Sequence, residues 1–66
     1  MRVTVKAADL FNRVKEMMDD GMDFIEVSFM EGDDELPAAL HFEGSSKSRP
    51  YEGVDYEELD DITSTR

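Results

Sequence analysis

Between Ala7 and Glu31 the apolar positions change period once, and that change constrains the fold more than any other feature. Ala7, Leu10, Phe11, Val14, Met17 and Met18 recur at intervals of three and four, which lines them along one side of a helix over residues 7–20. From Asp23 the period drops to two. Ile25, Val27 and Phe29 alternate with Glu26 and Ser28, the pattern of a strand with one buried face over residues 23–31. A helix with one apolar stripe and a strand with one apolar face each need a partner to cover them, so the chain must build an α/β (α+β) domain.

The rest of the chain supplies the other elements. Residues 2–6 read as a short strand, with Val3 and Val5 on one face and Thr4 on the other. Residues 36–43 read as a third strand, with Leu36, Ala38, Leu40 and Phe42 on one side and Ala39, His41 and Glu43 on the other. The acidic run from Glu31 to Glu35 is the expected hairpin loop. Pro37 suits a strand entry. The stretch from Gly44 to Pro50 reads as a polar loop. Beyond it, Asp55 followed three residues later by Glu58 resembles a capping box, which predicts a short helix over residues 56–62 with Leu59 and Ile62 inward. Thr63 to Arg66 is expected to fray.

The expected order is therefore strand, helix, strand, strand, short helix: a two-layer sandwich in which one amphipathic helix covers a three-stranded sheet. The inner face would hold Val3, Val5, Ile25, Val27, Phe29, Leu40 and Phe42, and the outer face Thr4, Glu26, Ser28, Ala39 and His41. Whether the first strand lies beside the second or the third is open at this level. Local signals within the long helix are mostly favourable. Asp9 lies in its first turn, where the dipole favours an anion, and Gly21 supplies a left-handed stop. Asp19 and Asp20 are the exception, because they place negative charge at the C-terminal end, where the dipole disfavours it.

With 66 residues the chain forms one domain, residues 1–66, that buries only about 60% of its unfolded surface. It has no cysteine and only one histidine, His41, which excludes disulfides and the usual Cys/His zinc sites. No apolar run approaches the ~18 residues of a membrane span. The N-terminal residues lack a signal-peptide core. A soluble, cytoplasmic protein is the expectation.

The charge is 17 acidic against 7 basic residues, a net −10. It is concentrated late: residues 1–30 hold six acids and four bases, residues 31–66 eleven acids and three bases. Direct nucleic-acid binding needs cations and is disfavoured, as is an anionic membrane. A basic protein surface is the natural complement.

Catalytic patterns are missing. Ser45, Ser46 and Ser48 lie in the polar loop with His41 nearby in sequence only, and nothing orients a base on a nucleophile. A carboxylate pair would need a pocket that separates two pKa values, for which so small a domain has little room. Glu31, Asp33, Asp34 and Glu35 do not match the spacing of a twelve-residue calcium loop. The stretch GSSKSR lacks the second glycine and the Gly-Lys-Ser/Thr ending of a phosphate loop. No enzyme activity, metal or cofactor is expected.

What survives is binding. Glu57 and Asp61, four apart on the expected short helix, would project about 6 Å apart, similar to phosphates along one nucleic-acid strand. Asp33, Asp34, Glu35, Glu52, Asp55, Glu58 and Asp60 would extend the row, and Tyr51 and Tyr56 would be aromatic anchors within it. In size, acidity and α/β pattern the whole chain resembles the small inhibitors of phages and mobile elements, such as anti-CRISPR and anti-restriction proteins. That resemblance implies a partner that is a nuclease or another nucleic-acid-binding protein, with its DNA or RNA site blocked. The alternative is a structural role, as an assembly subunit or homodimer joined through an exposed strand edge.

Overall fold

The computed structural model describes residues 2–65, with side chains for residues 2–63. Its elements are β1 (Arg2–Val5), α1 (Ala7–Asp19), β2 (Phe24–Met30), β3 (Ala39–Ser46), β4 (Arg49–Leu59) and β5 (Ile62–Thr65). The class is α+β: one helix, a three-stranded antiparallel sheet in the order β2-β3-β4, and a separate two-stranded ribbon of β1 and β5.

The helix ends where its sequence says it should. Gly21 takes the left-handed conformation at φ +87°. The Gly21 N–H donates to the Met18 carbonyl at 3.0 Å, and the Met22 N–H to the Met17 carbonyl at 2.9 Å. This pair of bonds closes the last turn, and Met22 and Met17 converge as that motif requires. The two aspartates that the dipole disfavours have partners. Lys15 Nζ meets Asp19 Oδ2 at 2.8 Å, and Tyr56 Oη donates to Asp20 Oδ2 at 2.7 Å. The helix start has no side-chain cap. Instead the Lys6 ammonium reaches Asp61 Oδ2 at 2.6 Å, binding the first turn to the segment between β4 and β5.

The core is small. Met17 and Phe42 are fully buried and Ala39 nearly so. Directly opposite residues on paired strands share a face, so Ile25, Val27, Phe29, Leu40, Phe42, Gly44, Val54 and Tyr56 form the side of the sheet that meets α1. Gly44 is needed there. A Cβ at this position would lie 2.7 Å from Met22 Cγ and 2.9 Å from Met17 Cε, so the two methionines seat directly on the β3 backbone. The Arg13 guanidinium lies 5.7 Å from the Phe42 ring centroid and closes the core on the β4 side.

Four expectations are corrected. First, the segment expected to be a short helix over residues 56–62 is extended, with Tyr56 opposite Phe42 and Leu59 opposite Leu40. A seven-residue helix is marginal alone, whereas Tyr56 and Leu59 each gain an apolar cross-strand neighbour, Phe42 and Leu40. Second, β1 joins neither β2 nor β3. Val5 pairs with Ile62 and Thr4 with Thr63, so Val3 and Val5 leave the main sheet and residues 62–65 form a strand rather than fray; Arg66 lies outside the described residues. Third, β3 starts at Ala39 and not at residue 36. Asp33 Oδ1 accepts from the Glu35 and Leu36 N–H groups at 2.8 and 2.7 Å, and the Asp33 N–H donates to the Leu36 carbonyl at 2.8 Å. This turn holds Leu36 in the loop, and Pro37 follows it. Fourth, the polar loop from Gly44 to Pro50 is mostly strand, reduced to a tight turn at Lys47 and Ser48 where Ser46 Oγ accepts from the Arg49 N–H at 3.1 Å.

Candidate acidic face

The register of the three-stranded sheet places acids opposite one another on the face turned away from α1. Glu26 on β2 lies opposite Glu43 on β3, and Glu43 opposite Asp55 on β4. At the ~4.8 Å spacing of neighbouring strands, three carboxylates cross the sheet within about 10 Å. His41, one residue pair along β3, sets Nε2 3.4 Å from Asp55 Oδ1. Gly53 lies against the end of the Glu43 side chain, where a Cβ would collide with it. This bare stretch of β4 leaves room for that carboxylate.

Two depressions flank the row. One, about 330 Å³, is bordered by Phe24, Glu26, Glu43, Pro50 and Tyr51. Tyr51 is 98% exposed, an aromatic ring with no covering residue. The other, about 490 Å³, is open and bordered by His41, Asp55, Tyr56, Glu57, Glu58 and Asp60. Its rim continues through Glu58 and Asp60 to the loop at Glu31, Leu36 and Pro37.

The sequence-derived residues divide in this geometry. Asp55, Glu57, Glu58 and Asp60 gather around the second depression, and Tyr51 stands beside the first. Glu52 lies instead beside Asp20, Met22 and Val54, and pairs with Arg49 at 3.5 Å. Asp61 is taken by Lys6. The one-turn spacing of Glu57 and Asp61 does not exist, because β4 is extended to Leu59. Tyr56 binds Asp20, and its hydroxyl is pushed up to about 12 by burial, with the hydrogen bond to Asp20 and the charges of Asp20 and Glu16 adding to the effect. Asp33 is held below the usual carboxylate range by the Leu36 and Glu35 N–H groups, and with Asp34 and Glu35 it lies in the loop of residues 31–38 rather than in the strand row.

Glu26 and Glu43 are the residues sequence reasoning missed. Strand alternation puts both on the outer side. Only the β2–β3–β4 register, which is non-local, makes them neighbours of Asp55. Among the described residues no group of three or more histidine or acidic side chains is arranged to hold a metal ion, and no helix is long and apolar enough to cross a membrane.

No protein-family model matches the chain, and no curated protein or solved structure matches it significantly.

Proposed function

We propose that the chain is an acidic binding module, not an enzyme, that occupies a basic and normally nucleic-acid-binding surface of a partner protein such as a nuclease. The observation that supports this most directly is the Glu26–Glu43–Asp55 row. Like charges opposite one another on a sheet cost about 0.2–1 kcal/mol per pair, and a face that served only solubility has no need of that arrangement. A row of cations on a partner would relieve the repulsion and gain by it. Glu57, Glu58 and Asp60 extend the negative surface, and among the described residues no ion pair neutralises them. Tyr51 offers an aromatic anchor at its margin.

The test is capture of basic nucleic-acid-binding proteins on the immobilised chain, repeated across ionic strength and with the triple variant Glu43→Lys, Asp55→Lys, Glu57→Lys. Capture should weaken steeply with salt, fall at least about tenfold in the triple variant, and compete with DNA or RNA for the same partner. Capture that ignores salt, or that survives the triple reversal, would refute the proposal.

A further inference from the structure

The two edges of the main sheet are built differently. The β4 edge carries Pro50, Glu52, Asp55, Glu57 and Glu58, and its pairing with β3 is interrupted by two register shifts. Proline, charge and bulges are the devices that stop an edge from pairing with another chain. The β2 edge has neither proline nor bulge, and only one charge. Phe24–Met30 is an unbroken seven-residue strand with the single charge Glu26, in uninterrupted register with β3. Among the described residues no loop or side chain makes a hydrogen bond to the backbone of residues 24–30 on its outer side.

An apolar surface adjoins that edge. On a helix of about 100° per residue, Arg13, Glu16 and Asp20 project to one side of Met17, and Val14, Met18 and Phe11 to the other. The bond between Asp20 and Tyr56 fixes the first side as the β4 side, so Met18 and Phe11 face the β2 side. Both are 65% exposed, and Val27, on the same side of the sheet, is 52% exposed.

We infer that the occupant of this edge is a second copy of the chain, paired antiparallel through β2 about a two-fold axis at Val27. That register sets Val27 against Val27 of the other copy, Ile25 against Phe29, Phe24 against Met30, and Glu26 against Ser28. All seven residues pair, and the only acid of the strand meets a serine rather than its own equivalent. The interface falls in the half of the chain that is almost neutral, with six acids and four bases in residues 1–30. The size also fits. The chain exposes 5182 Å², whereas a folded monomer of its 7.5 kDa mass exposes about 4,200 Å². The excess of about 1,000 Å² is comparable to the ~800 Å² that each partner contributes to a standard interface. The product is a six-stranded sheet with both helices on one face, where Phe11 and Met18 of each copy cover the central strands, and with both acidic rows on the other.

The test is sedimentation of the purified chain, without any partner, from micromolar to millimolar concentration. The mass should be twice 7.5 kDa, and salt should tighten the dimer by screening two acidic bodies, the opposite of its effect on partner capture, so the two proposals fail separately. Val27→Lys should weaken the dimer at least about 30-fold, while Val54→Lys, at a comparably exposed valine on β4, should leave it intact. Because the chain has no cysteine, Val27→Cys should cross-link to a covalent dimer on mild oxidation and Val54→Cys should not; this readout also serves if Val27→Lys fails to fold. A chain that stays monomeric at every concentration and salt, or a dimer broken by Val54→Lys and not by Val27→Lys, would overturn the inference. So would a monomer whose Val27→Lys variant loses only a foreign partner.

Discussion

Tyr56 shows how a single side chain joins the layers. Its ring lies on the core side of β4 opposite Phe42, and its hydroxyl donates to Asp20 at the end of α1. This one contact gives the acid at the wrong end of the helix a partner and adds to the burial that raises the phenol. Replacing Tyr56 by Phe should destabilise the fold by about 1 kcal/mol in urea titrations. The pH dependence has a definite sign. Folding raises the phenol from 10.0 to about 12, so the bond's contribution is fully present below pH 10 and is lost between pH 10 and 12, as the unfolded tyrosine ionises first. The stability difference between the native chain and Tyr56→Phe should shrink over that interval. A difference that grows with pH there would contradict the assignment. Gly44 is the opposite kind of residue, where the absence of a side chain lets Met17 and Met22 rest on β3.

At the level of elements, the helix behaves locally and the C-terminal strands do not. Gly21 has no atom within 4 Å of the position where a Cβ would stand, and its φ is +87°. Gly21→Ala should therefore cost about 1 kcal/mol through backbone strain alone, measurable as a lowered urea midpoint with an unchanged slope. If the loss is absent, the left-handed stop is not what ends α1. The helix and the β2 alternation were legible because both are periodic within a few residues. The residues from Asp55 to Glu58 carry a capping pattern that is equally local, yet the segment is strand. What decides it is contact with β3, whose paired residues lie 12 to 19 positions earlier in the chain, through pairs such as Tyr56 with Phe42. The same holds for Ile62–Thr65, whose β-branched composition is visible but whose partner, β1, lies at the other end of the sequence.

At the level of the whole molecule, a net charge of −10 is spread over a body 39 × 23 × 20 Å in extent, with Phe42 and Met17 the fully buried large side chains among the described residues. Self-repulsion is therefore a substantial part of its energetics. The melting temperature should rise as sodium chloride is added through the range where the Debye length falls from about 30 to 10 Å; a melting temperature that falls over that range would mean that the ion pairs of Lys6, Lys15 and Arg49 outweigh the repulsion. The acidic surface was legible only as composition. Counting charges locates the acids in the second half and names Asp55, Glu57, Glu58 and Asp60. It does not separate them from Asp61 and Glu52, which the chain pairs with its own Lys6 and Arg49.

The sequence by itself determined the class of the fold, the limits of the helix and the sign of the surface, because periodicity, a glycine stop and net charge act within one or two turns of chain or need no geometry at all. Tertiary structure alone decided which strands are neighbours, that the tail is extended, and that Glu26, Glu43 and Asp55 stand in one row. The physical reason is that strand pairing is a bargain between distant segments, and its register depends on every cross-strand contact together rather than on any residue's own preference.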